Sequence, residues 1–193
     1  NSAIKRTAYP IAVQENTSGD AGAGREVATV ASFDFTLAGP FKVLDPKGFL
    51  ARPTEGLDFE IQKWKDVGAF GVVKYRVTAT EIEFRLYEVS KGDKPTLTKT
   101  YSRKEATRAI THTWANEVVK HQTGEPGFFG PRIAFTAKAS GASKILAMDF
   151  DGANTGAISN NSSTNILPAW SPSGGIAYTS FMRGNPDLYV TGG

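Results

Sequence analysis

The tetrapeptide Ile133-Ala134-Phe135-Thr136 returns as Ile176-Ala177-Tyr178-Thr179, 43 positions further along the chain. A period of about 40 to 45 residues is that of a β-propeller, whose sheets bury their faces only against neighbouring sheets. Both copies continue alike. An alternating strand meets a glycine-containing turn (Gly141 in one copy, Gly184-Asn185-Pro186 in the other), and a second strand follows, Lys144 to Phe150 or Asp187 to Val190. Each copy then runs into a tight turn, Asp151-Gly152 or Gly192-Gly193, of residue types that reach positive φ without strain. The spacing predicts a β-propeller; the alternative is a pair of ordinary hairpins that share a triplet.

Composition narrows the function classes. A chain of 193 residues, 40% apolar and 21% charged, suits one sizeable globular domain or two small ones. The net charge of +3 is spread among nearly as many acidic as basic residues, without the basic run, interleaved aromatics or zinc spacing of nucleic-acid binding. Cysteine is absent, which removes disulfides, thiolate nucleophiles and thiolate-held metals and fits an oxidising compartment. No apolar run approaches the roughly 20 residues of a membrane span, and no signal peptide is present.

The first 127 residues read as a separate α/β domain. Thr7 to Val13 is a strand candidate, Glu15 to Gly24 a polar, glycine-rich loop, and Arg25 to Ala38 a helix with Val27, Val30, Ala31 and Leu37 on its apolar side. Gly39-Pro40 ends that helix, and a short strand, Phe41 to Leu44, follows. Asp58 is placed to cap a short helix through Trp64, stopped by Gly68. Phe70 to Thr78 and Glu81 to Val89 then form a hairpin, the second strand alternating Ile82, Phe84 and Leu86 with charged residues. Thr96 to Tyr101 adds a third antiparallel strand. Ser102-Arg103-Lys104-Glu105 is a capping-box pattern for a helix to about Gln122, with Ala106, Ile110, Trp114 and Val118 as its buried stripe and Gly124 as its stop. Together these elements predict helices on one face of a small mixed sheet. After Gly127 the repeats begin, giving a boundary between residues 1-127 and 128-193.

Particular residues resemble the TolB family of the periplasmic Tol-Pal cell-envelope system. Trp64 with Gly68-Ala69 resembles its helix-to-strand junction, and Arg108 and His112 match residue types of its third helix. Thr123-Gly124, Gly127, Phe129 and Arg132-Ile133-Ala134 resemble its crossing into the propeller. Asp149, Asp151, Gly152 and Asn154 follow its first blade turn, and Trp170-Ser171-Pro172 with Gly174 its blade opening. The chain departs from the pattern at Ser173 and Asn116, where the family usually has aspartate; both keep a small polar side chain suited to turn or helix hydrogen bonds.

The resemblance implies an N-terminal α/β domain followed by an incomplete propeller, about one and a half blades of the family's six, so that the chain reads as a fragment. It implies a non-enzymatic periplasmic scaffold that links inner-membrane Tol proteins to the lipoprotein Pal and supports envelope integrity and cell division. Pal would bind mainly through the propeller. TolA would be reached by an N-terminal arm largely missing here, and Asn1-Ser2-Ala3 reads as an addition to the natural chain. Occupancy of the propeller by Pal would be linked to whether that arm is free. An open strand edge near Leu188-Tyr189-Val190 predicts self-association.

Other chemistries find little support. Asp149-Phe150-Asp151-Gly152 opens like a calcium loop, but Ala153 stands where a third oxygen ligand is needed. His112 and His121 are nine residues apart, against the spacing near four of a helical metal pair. Ser159 to Thr164 is serine-rich without a nucleophile elbow, and Gly19 to Gly24 lacks the Lys-Ser/Thr pair of a phosphate loop. No cofactor is expected. The enzymatic alternative is a propeller-bearing peptidase of the prolyl-oligopeptidase type, whose hydrolase domain would lie elsewhere; a ligand-binding α/β half is a weaker third.

Overall fold

The computed structural model describes residues 8–139 and 141–191. Thr7, the expected Gly192-Gly193 turn and Asn1-Ser2-Ala3 lie outside them. The chain divides into two compact units, the first ending at Phe129 and the second beginning at Gly130.

In the first unit β1 (Tyr9–Val13), β2 (Phe41–Val43) and β3 (Gly71–Val77) are parallel, and β4 (Glu81–Glu88) and β5 (Leu97–Ser102) extend the sheet antiparallel in the order β2-β1-β3-β4-β5. One face carries two long helices, α1 (Ala21–Leu37) and α3 (Thr107–Thr123), which pack along each other. Phe84 stacks on Trp114 with ring centroids 5.1 Å apart, and the Tyr75 hydroxyl donates to the Gly24 carbonyl, so both helices are fixed to the sheet from its central strands. The other face is not bare. Ala12, Val72 and Tyr87 pack there against Trp64 of the short helix α2 (Ile61–Asp66), with Phe49, Phe59 and Ile61 around it. Helices on one face alone, as the sequence suggested, would have left this apolar layer in water.

Several boundaries differ from expectation, each for a local reason. Helix α1 starts inside the glycine-rich stretch, because the Asp20 carboxylate caps the Ala23 amide at 3.0 Å. Its Leu37 is exposed, and Asp34 and Phe35 are buried instead. Helix α2 begins at Ile61 instead of at Asp58, whose carbonyl accepts a hydrogen bond from buried Lys74. The capping box does not form. Ser102 is held in β5 opposite Glu81, and the Arg103 amide is tied to the Thr80 carbonyl, so α3 starts at Thr107 and Ala106 is exposed.

The second unit contains two three-stranded sheets, neither closed on itself. One orders β6 (Arg132–Ala139), β7 (Ala142–Asp149) and β8 (Gly156–Ala157); the other orders β11 (Asp187–Val190), β10 (Ile176–Ser180) and β9 (Asn165–Trp170). The repeat is carried into pairing. Ala134 lies opposite Ala147 and Ala177 opposite Val190, so the 43-residue offset of the first strands holds in the second strands too. Ile145 and Ala147 of one sheet pack against Ile176 and Tyr178 of the other in a shared core. This is an incomplete propeller of open sheets.

Candidate functional site

The α/β unit has a feature that in many folds holds a ligand: strand order reverses between β1 and β3, with a glycine-containing helix start at their carboxyl ends. Here the chain fills that crevice. The loop after β1 pairs with β3 through Gln14 N–H to the Val73 carbonyl at 3.1 Å and a bridge between Gly19 and Val77. Gly24 is so close to it that a Cβ would overlap the Asn16 carbonyl.

Asp34 and His112 form a buried pair between α1 and α3, with Oδ2 2.7 Å from Nδ1. Two of the three groups of a hydrolytic triad are thus adjacent. The aspartate is fully buried and the histidine 5% exposed, so the pair joins two helices instead of facing a substrate. Sequence reasoning singled out His112 but missed Asp34, since an aspartate inside a helix reads as a solvent-facing residue. His121 lies elsewhere on α3, with Nε2 3.0 Å from Glu88 Oε1.

The remaining residues singled out by the sequence lie in four places, two in each unit. Trp64 is 1% exposed and meets Phe49 edge-on, with Gly68 at φ 72° ending its helix. Gly124, at φ 81°, closes α3 through its amide to the Lys120 carbonyl. Asn116 then secures the segment after α3: its Oδ1 accepts the Phe129 amide, and its Nδ2 donates to the Phe129 carbonyl. Gly127 lies against the same residue, where a Cβ would stand 2.6 Å from Asn116 Cα.

In the second unit Arg132 faces Asp149 across the β6–β7 pair at 3.5 Å. Asp149, Asp151 and Gly152 build the turn after β7, with the Asp151 carboxylate accepting the Ala153 amide and Asn154 donating to Asp149. Those carboxylates serve the turn. Among the described residues, no group of three or more His, Asp or Glu side chains is arranged to hold a metal ion.

Ser171, Pro172 and Gly174 form the hairpin turn between β9 and β10, where Ser171 Oγ accepts the Gly175 amide and meets Ser173 Oγ at 2.8 Å. Trp170, which precedes this turn, is not a core residue. It is 40% exposed and flanks a shallow hollow with Pro131 and Arg132, at the end of β9 opposite Ile176.

On the first unit, an apolar hollow of about 360 Å³ lies between Tyr9, Lys65, Phe70 and Val89, with Phe70 57% exposed at its edge. Burial and the nearby Glu88 carboxylate push the Tyr9 hydroxyl up to about 12, so that it stays protonated at neutral pH. The arrangement offers shape and apolar surface.

Residues 2–94 match the family model of the TolB amino-terminal domain. The Tol-Pal system protein TolB of Anaeromyxobacter sp. (strain K) is 38% identical over 191 residues, covering 94% of this chain and 44% of that protein. The chain belongs to the TolB family. A second TolB, from Geobacter metallireducens, is 42% identical over 159 residues, covering 78% of this chain and 36% of that protein. The crystal structure of TolB from Acinetobacter baumannii has the same fold, with a TM-score of 0.75 at 24% identity over 96% of this chain and 47% of that one. The chain thus spans less than half the length of the curated TolB relatives it matches.

Proposed function

We propose that this chain is part of a periplasmic, non-enzymatic scaffold of the Tol-Pal envelope system, joining inner-membrane Tol components to Pal and supporting envelope integrity and cell division. The observation that carries this reading is the 38% identity to a Tol-Pal system protein TolB, sustained across both compact units. The filled switch-point crevice and the buried Asp34–His112 pair favour protein contact over catalysis. Among the described residues, no helix is long and apolar enough to cross a membrane.

On this reading residues 1-127 are the TolB amino-terminal domain and 128-193 the first propeller blades, with Pal engaged mainly through the propeller and TolA through an N-terminal arm. Partner exchange, not bond breaking, is the mechanism, and Pal shifts the state of the arm only by its differential affinity for the two states. A propeller peptidase is the less favoured reading, since the relatives over this length are TolB proteins.

The test is capture from a periplasmic envelope extract on a full-length TolB carrying this sequence as its first part. Recovery of Pal and TolA supports the scaffold. A full-length protein that retained neither, or that hydrolysed peptides, would overturn it.

A further inference from the structure

Lys74, in the middle of β3, is a lysine with 1% of its surface exposed. Its neighbour Tyr75 reaches α1, so by alternation Lys74 points to the other face of the sheet, the side on which Val72 packs against Trp64. There its Nζ donates to the Asp58 carbonyl. That carbonyl belongs to residues 49–60, a strap laid across this face ahead of α2. Phe49 meets Trp64 edge-on, Ala51 is buried beside them, the Pro53 carbonyl accepts the Thr17 amide at 2.9 Å, and Phe59 stacks on Tyr87 at 3.9 Å. Each of these contacts is made within the first unit.

The charges around Lys74 come from three elements. Opposite it on β4 stands Arg85, which Glu83 engages at 2.6 Å. The strap supplies Glu55, Asp58 and Glu60; Glu55 weighs most in favour of the buried cation, and the other two are exposed. From α2 comes Lys63, 3.1 Å from Glu55 and 2.8 Å from Glu60, while Arg52 of the strap reaches Glu55 at 3.9 Å. Burial pulls the Lys74 ammonium below the ordinary lysine range, the mark of a charge held at a cost. Ionised Glu55 offsets Lys63 and Lys74 together. Once Glu55 is protonated, two cations remain under the strap with their nearest compensating charge removed.

We infer that residues 49–60 form an acid-released strap: protonation of Glu55 leaves Lys74 buried and uncompensated, and the strap lifts to hydrate it while the five-stranded sheet stays folded. The surface it bares is apolar, made of Val72, Tyr87 and the Phe49 side of Trp64. Glu55 sets the sign. Burial by itself raises its carboxyl, but hydrogen bonds from Lys63 and the Arg52 backbone, with the charges of Lys63 and Lys74, hold it below the ordinary carboxylate range. A carboxyl lowered in the closed state holds the strap above about pH 4.3, and that hold is lost as pH falls through the closed-state value.

Amide hydrogen exchange of the 193-residue chain between about pH 7 and about pH 3.5, corrected for the intrinsic rate at each pH, tests the inference. Within the strap the Glu55 amide is bonded to the Arg52 carbonyl and the Asp58 amide to the Glu55 carbonyl. Their protection is expected to fall about 10-fold or more over that range while the amides of β3 and β4 keep theirs. Glu55→Gln should bring the same loss to about pH 7. Lys74→Met removes the buried cation and should keep the strap closed at about pH 3.5; Lys74→Gln, which retains a donor without the charge, replaces it should the methionine variant not fold. Strap and sheet amides that lose protection together in the parent, a Glu55→Gln strap still closed at about pH 7, or Lys74 variants that open as the parent does would overturn the inference.

Discussion

Asn116 holds Phe129 by both of its polar atoms, accepting the Phe129 amide at 2.9 Å and donating to the Phe129 carbonyl at 2.7 Å. The segment from Gly124 to Phe129 is thereby held back against α3. An aspartate here could accept from the amide but not donate to the carbonyl. Asn116→Asp is therefore expected to lie between the parent and Asn116→Ala in stability, with the alanine variant losing about 1–3 kcal/mol. Gly127→Ala, which would press a methyl against Asn116, should destabilise as well. Urea midpoints of the variants check the order.

The tryptophans separate core from rim. Trp64, 1% exposed, lies under the sheet, and Trp64→Ala is expected to cost the first unit about 3–5 kcal/mol. Trp170 keeps 40% of its surface in water, so its loss should cost less than about half as much. Denaturant melts of both variants decide it. Equal losses would place Trp170 in a packed core after all.

Glu88 sets an acid limit on the first unit. Burial alone would raise its carboxyl, but hydrogen bonds from Lys91, His121 and Thr96 hold it below the ordinary carboxylate range. A carboxyl lowered in the folded state adds stability above its unfolded value of about 4.3, and the gain is lost as pH falls through the folded value. Glu88→Gln should thus reduce stability at pH 7 and flatten its decline below about pH 4.3. Urea unfolding at a series of pH values measures the slope; an unchanged slope would remove Glu88 from the account.

Much of this architecture was legible because periodicity and turn chemistry agree with it. The 43-residue echo gave the paired hairpins, and the alternation of Ile82, Phe84 and Leu86 gave β4. What escaped was decided by contacts distant in sequence. Gly24 looks like loop until the Asn16 carbonyl is seen to need its missing side chain. Ser102 looks like a helix cap until its pairing with Glu81 claims it for β5. Lys74 and Asp34, charged residues that read as surface, are buried because the Asp58 carbonyl receives the first and His112 meets the second. Partner surfaces leave no periodic signal comparable to that of strands and turns.

The scaffold reading turns on Pal. Calorimetric titration of purified Pal into full-length TolB carrying this sequence, and into the 193-residue chain alone, is its most direct measurement. The account predicts saturable binding to the full-length protein and binding to the chain at least about 10-fold weaker, because most of the propeller is missing. A full-length protein that does not bind Pal would contradict the scaffold, and a chain that binds with full-length affinity would move the Pal surface off the missing blades.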